Sequence, residues 1–92
     1  MARIRTHPGE IIQAEYLEPL GMSATALARA IDVPANRLTD IIRARRGVSA
    51  DTALRLARYF KTDPRFWLNL QAAYDLSVAQ SENDYSRLPE HA

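Results

Sequence analysis

The sequence predicts an all-α fold of five helices, and three observations carry that reading. Apolar residues recur three and four apart along most of the chain, the spacing that lines one side of a helix. No stretch alternates apolar and polar residues as a half-exposed strand does. Pro, Gly and Ser interrupt the apolar pattern at short intervals, at Pro8, Pro19, Gly21, Ser23, Pro34, Gly47, Ser49 and Pro64, so the helices are short and capped.

The first helix opens at Pro8, whose missing N–H costs nothing in a first turn, with His7 ordering its start. Ile11, Ile12, Ala14, Tyr16 and Leu17 follow, Ile12 and Tyr16 sharing a face, and Pro19 with Gly21 ends it. Ser23 caps the second helix, Ala24 to Ile31, whose Leu27, Ala28 and Ile31 lie together. Asp32, Val33 and Pro34 break the chain. Pro34 then starts a third helix that runs to Ala44, with Gly47 in its C-terminal cap. Ser49 caps the fourth, with Asp51 favourable at its positive end and Leu54, Ala57 and Phe60 one turn apart. Pro64 starts the fifth, which extends to about Ser81. A single domain over residues 1–81 and a polar, flexible tail over 82–92 follow.

The fifth helix carries Phe66, Trp67, Leu68, Leu70, Ala72, Ala73, Tyr74, Leu76, Val78 and Ala79 round most of its circumference. That is more apolar surface than one small neighbour covers. It is either the central core helix or a surface shared with a second copy. The dimer is the favoured reading, with Phe66, Trp67, Leu70 and Tyr74 at the interface, because a chain of 92 residues gains most from sharing a core.

Composition narrows the function. There is no cysteine, hence no disulfide framework and no thiolate metal site, and the two histidines, His7 and His91, lie at opposite ends of the chain. The first ten residues lack the apolar segment of a signal peptide, and no apolar run approaches the roughly 20 residues that cross a bilayer. A soluble cytoplasmic protein without membrane contact is expected. No nucleophile stands with a histidine and no Gly-rich phosphate loop occurs, so neither catalysis nor a cofactor is expected.

The net charge of +1 hides a strong asymmetry. Between Arg29 and Arg65 nine basic residues face four acidic ones, whereas residues 66–92 carry −3 and residues 1–28 carry −1. A basic centre between acidic flanks suits a polyanion on one surface, although a solvated charge mixture has the same count.

Helices two to four come in quick succession, with Arg43, Arg45 and Arg46 after the middle one. Such an arrangement lays the middle helix in a DNA major groove and the arginines on phosphates. With Leu38 in the core, Ile41 and Ile42 lie beside it while Asn36, Asp40 and Arg43 point away, with Thr39 at the edge. Amide, carboxylate, guanidinium and hydroxyl are the groups that read base edges, though an ordinary solvated face is polar too. Asp40 repels phosphate and is expected to pair with Arg37 or Arg43 three residues away. Arg45 and Arg46 flank Gly47 in the exposed turn, where they add affinity without sequence information.

The run SATALARAIDVPANRLTDIIRARRGVSADTALRLARYF resembles the helix-turn-helix of the phage-repressor superfamily. The flanking segments HPGEIIQAEYLEPLGMSATALA (7–28) and DPRFWLNLQAAYDL (63–76) resemble HigA-type antitoxins of bacterial toxin–antitoxin modules. The resemblance covers residues 7 to about 81; its specific parts are the HPGE opening and the FWLNLQ block. It implies a homodimer that represses its own operon and neutralises a RelE-like ribonuclease toxin. Carried onto this chain, the base-reading positions are Ala35, Asn36, Arg37, Thr39, Asp40 and Arg43. Ser23, Thr25, Arg43, Arg45 and Arg46 are the expected phosphate contacts, and Phe66 to Gln71 fall where dimers of the family meet. The RARRG loop at 43–47 is more basic than the family's usual single-cation loop, which implies a more salt-sensitive operator affinity. With DNA on the basic centre, the toxin is expected on the first helix and the N-terminal tail beginning at Met1, through Arg3, Arg5, Glu15 and Glu18. A solitary phage- or plasmid-type repressor, or a module whose basic centre binds an acidic protein, are the competing readings.

Overall fold

The structure, a computed structural model, describes residues 3–91. Five helices appear: α1 (residues 8–20), α2 (Ala24–Ala30), α3 (Ala35–Ile42), α4 (Ala50–Phe60) and α5 (Pro64–Glu82). No strand occurs among the described residues. The all-α expectation holds, and four of the five helix starts carry a side-chain cap. His7 Nδ1 accepts from the Gly9 N–H at 2.9 Å, Ser23 Oγ from Ala26 at 3.0 Å, Ser49 Oγ from Thr52 at 3.3 Å and Asp63 Oδ1 from Arg65 at 2.8 Å. Each bond satisfies a backbone donor that the first turn leaves unpaired. Pro34 stands one position earlier than expected, as the N-cap of α3.

Helix ends depart further from expectation. Four helices stop at a residue in the left-handed region: Gly21 (φ 64°), Asp32 (59°), Ala44 (58°) and Lys61 (57°). In each case the next N–H bonds a carbonyl five residues back: Met22 to Leu17, Val33 to Ala28, Arg45 to Asp40, Thr62 to Ala57. This is the Schellman closure. At α3 the left-handed residue is Ala44; Gly47 does not terminate the helix. Nor does Pro19 end α1. Residues Ile12–Leu17 form a π-helical turn, and Glu18–Leu20 continue it through the proline to Gly21. The Glu18 N–H reaches back to Gln13; this wider spacing relieves the clash that a proline ring makes with an ordinary helical carbonyl.

Ile12 and Leu17 of α1, Leu27 and Ala28 of α2 with Ile31 just after it, Leu38 and Ile41 of α3, Val48, and Ala53, Leu56 and Ala57 of α4 form the core. From α5 only Trp67 joins it, fully buried, with Nε1 donating to Thr62 Oγ1 at 2.8 Å. The expectation that Trp67 lies at a dimer interface is therefore corrected: the indole is sealed inside its own chain. Tyr16 and Phe60 stack on the same site, with ring centroids 5.4 and 6.3 Å from the indole. Phe66 stays 41% exposed, Leu70 is half-buried on the core, and Tyr74 meets the His7 ring edge-on at 4.7 Å. α5 is a flank packed on α4 and α1, and its second half leaves Leu76 63% exposed. Residues 83–91 are exposed but not wholly irregular, since Tyr85–Arg87 form a 3₁₀ turn capped by Asp84.

Candidate nucleic-acid interface

Burial of Leu38 and Ile41 sets the phase of α3 and leaves Ala35, Asn36 and Arg43 exposed, with Thr39 and Asp40 half-buried beside them. The outward face is the one expected. Thr39 Oγ1 donates to the Asn36 backbone carbonyl at 3.3 Å, and among the described residues the Asn36 side-chain amide makes no hydrogen bond. Two expectations need correction. Asp40 pairs with neither Arg37 nor Arg43 but with Arg45 Nη2 at 3.5 Å, because the Ala44 turn folds Arg45 back over the end of the helix. Arg37 is turned aside from the outward face: its Nη1 donates to Asp51 Oδ2 of α4 at 2.8 Å. At 100° per residue Arg37 lies beside Ile41, on the flank of α3 that turns toward α4.

Among the described residues Arg43 and Arg46 make no ion pair. Ser23 is occupied as the α2 cap, and Thr25 is exposed two residues on. The loop carrying Arg43 to Arg46 is fastened to α5, since Gln71 Oε1 accepts from the Val48 N–H at 2.8 Å. A Cβ on Gly47 would come within 3.0 Å of that Gln71 side chain, so this glycine makes room for the fastening.

Two further devices hold α3. Gly9 is buried where α1 crosses it: a Cβ there would overlap the Ile41 carbonyl oxygen and lie 2.8 Å from the Ile42 Cα. Asp51 Oδ2 takes Arg55 Nε at 3.0 Å as well as Arg37, and Arg55 Nη1 donates to the carbonyls of Ile31 (2.8 Å) and Asp32 (3.1 Å). The Arg55 hydrogen bond, more than any other cause, holds the Asp51 carboxyl below its ordinary range; Arg37 adds to it against an opposing push from desolvation. At His7 burial pushes the imidazole down, with Asp75 and Glu10 pulling it back up. It therefore stays the neutral acceptor that its cap requires. Sequence reasoning gave Gly9 and Arg55 no role of their own and placed Gln71 in the dimer block, where the structure has it fastening the Val48 N–H. An i,i+4 spacing marks Asp51 and Arg55 as a pair, but nothing local links either to Arg37.

The residues expected to meet a toxin do not form one patch. The Arg5 N–H donates to Ser77 Oγ at 2.9 Å, which lays residues 3–7 along the second half of α5. Glu15 on the π turn of α1 and Glu18 just after it are exposed, at the end where Tyr16 meets Trp67. Trp67 and Ser77 are about 15 Å apart along α5. Met1 lies outside the described residues. No group of metal-ligating side chains occurs among the described residues, and no helix there is long and apolar enough to cross a membrane.

The helix-turn-helix family profile matches residues 14–67, more than half of the chain. Virulence-associated protein I of Dichelobacter nodosus is 55% identical over 76 residues, covering 83% of this chain and 70% of that protein. The solved Pseudomonas aeruginosa antitoxin HigA with higBA promoter superposes with a TM-score of 0.86 at 46% identity, over 95% of each chain. The chain belongs to the HigA-type helix-turn-helix family. That is a DNA-binding class of transcription regulators and antitoxins, not of enzymes. A further Pseudomonas aeruginosa structure, solved in complex with its 18 bp operator DNA, matches over 100% of both chains with a TM-score of 0.90 and 44% identity. The helix-turn-helix profile match ends at Trp67, and these structural likenesses extend the kinship over α5.

Proposed function

We propose that this chain is an antitoxin that binds the promoter of its own operon as a homodimer and neutralises a RelE-like mRNA-cleaving toxin. The observation that carries the reading is the outward face of α3: Asn36 free and exposed, Thr39 and Arg43 beside it, and Arg43 and Arg46 unpaired among the described residues. Relatives with this fold are solved with operator or promoter DNA. Asn36 pairs its amide with a base edge, Thr39 and Arg43 read neighbouring edges, and Arg46 and the start of α2 sit on phosphates. Arg37 takes no base.

Fluorescence anisotropy with the protein's own promoter and a scrambled duplex tests the DNA reading. Asn36→Ala weakens the promoter complex by about 1–3 kcal/mol and barely changes the scrambled one. Arg46→Ala weakens both alike and flattens the salt slope by about one unit. Unchanged promoter affinity in Asn36→Ala refutes the assigned face. The dimer meets through the remaining Phe66–Leu70–Tyr74 stripe, with recognition helices about 34 Å apart on a near-palindrome; a monomer mass at micromolar concentration by sedimentation refutes it. The toxin docks away from α3, on the acidic π turn of α1 or on the N-terminal segment, so that both partners are held together. Full retention of the toxin on co-purification, both by a chain lacking residues 1–6 and by a Glu15→Lys, Glu18→Lys double variant, excludes those surfaces.

A further inference from the structure

Asp51 touches no residue of the outward face of α3, yet it joins three parts of the DNA-reading unit. Its Oδ2 receives Arg37 from the first turn of α3 at 2.8 Å and Arg55 from α4 at 3.0 Å. Arg55 in turn holds the carbonyls of Ile31 and Asp32, the turn between α2 and α3. One carboxylate and one guanidinium thus fix the chain at residues 31–32 and again at residue 37, on either side of the exposed Ala35 and Asn36. Arg37 is on the same helix turn as Asn36, and its side chain remains 29% exposed at the flank. Released from Asp51, a guanidinium there is free to seek the nearest phosphate, and phosphate contacts carry no sequence information. Removing the carboxylate also leaves Arg37 and Arg55 as neighbouring like charges, which push α3 away from α4.

We infer that Asp51 is a specificity-determining positioning residue: it withholds Arg37 from the DNA backbone and sets the angle at which Asn36 meets the bases. This rests on the promoter-binding reading above. The consequence is opposite in sign for the two kinds of DNA. Asp51→Asn loses promoter preference through a misplaced base contact, and it gains non-specific affinity through one freed cation.

The test compares wild type, Asp51→Asn, Arg37→Gln and the double variant on the chain's own promoter and on a scrambled duplex, across a salt series. Glu82→Gln, the same charge change at the exposed end of α5, serves as the charge control. Asp51→Asn is expected to cut the promoter-to-scrambled ratio about tenfold, the scale of one good base contact, while steepening the non-specific salt slope by about one unit. Adding Arg37→Gln restores the wild-type slope, Arg37→Gln alone leaves the slope unchanged, and Glu82→Gln leaves the ratio unchanged. Several results overturn the inference: a retained ratio in Asp51→Asn, an equal fall on both duplexes as a loss of fold produces, or a shallower slope in Arg37→Gln alone. If the wild type shows no preference for its promoter, the operator reading falls and this inference with it; a preference that survives Asp51→Asn overturns the inference alone.

Discussion

Replacing Gly9 with alanine puts a methyl group into the backbone of α3. The new Cβ would overlap the Ile41 carbonyl oxygen and lie 2.8 Å from both the Ile41 carbonyl carbon and the Ile42 Cα. Carbon atoms rest about 3.5–4.0 Å apart, so α1 and α3 must separate by roughly 1 Å, and neither neighbour is a side chain that can swing away. Overpacking of this kind costs about 1–3 kcal/mol, and a rigid backbone on both sides puts Gly9 at the upper end. Against this, alanine recovers about 0.5–1 kcal/mol of backbone entropy relative to glycine. The net loss is about 2 kcal/mol, or a fall in Tm of about 8–16 °C for a domain of this size. Thermal melts followed by circular dichroism measure it directly, and promoter anisotropy below the melt adds a second readout. Because the displaced segment is the C-terminal turn of α3, which ends at Arg43, promoter affinity falls even in protein that is still folded. A Gly9→Ala variant melting at or above the wild-type temperature refutes the claim that this glycine is what lets α1 seat the recognition helix.

Ala44 pays for its left-handed φ of 58° with no glycine to relieve it and an exposed methyl that packs on nothing. Ala44→Gly removes about 1–2 kcal/mol of strain and adds about 0.5–1 kcal/mol of unfolded-state entropy, so the urea midpoint rises; a lower midpoint contradicts the account. Trp67→Ala opens a cavity at the fully buried indole and strands Thr62 Oγ1, costing about 3–5 kcal/mol at any protein concentration. A loss that disappears on raising the concentration would return Trp67 to a dimer interface. His7 has a folded pKa below its unfolded value of about 6.5, so its contribution is complete above that value and is lost as pH falls through it toward the folded pKa. His7→Asn keeps a cap acceptor that does not titrate; its Tm should fall less than that of the wild type between pH 7.5 and 5.5, and equal falls refute the role of the imidazole.

What was legible in the sequence divides along the range of the forces involved. Helix starts were readable because Ser23 and Ser49 accept from donors within three residues of themselves, and Pro8 and Pro64 bring no donor of their own to a first turn. The outward face of α3 was readable for the same reason: once Leu38 and Ile41 are buried, helical phase alone exposes Asn36 and Arg43. Helix ends were not, because Asp32, Ala44 and Lys61 occupy conformations that their identities do not advertise. The fifth helix misled for a different reason. A count of apolar residues says nothing about how many fit under one neighbour, and the structure buries Trp67 while leaving Phe66 and Leu76 outside.

The basic centre shows most clearly why local reasoning stops short. Nine cations between Arg29 and Arg65 look like one electrostatic surface for DNA, but Arg37, Arg45 and Arg55 are engaged by Asp51 and Asp40. Arg37 and Asp51 are 14 residues apart, so their pairing depends on where α4 packs, and that in turn depends on the core. The same packing decides which arginines remain for phosphate, and among the described residues it leaves Arg43 and Arg46 without an ion pair at the end of α3. Charge that counts as affinity in the composition thus acts as bracing in the fold. The salt dependence of promoter binding should follow the few free cations, not the total of nine, because an arginine already held by a carboxylate releases no counterion when DNA arrives.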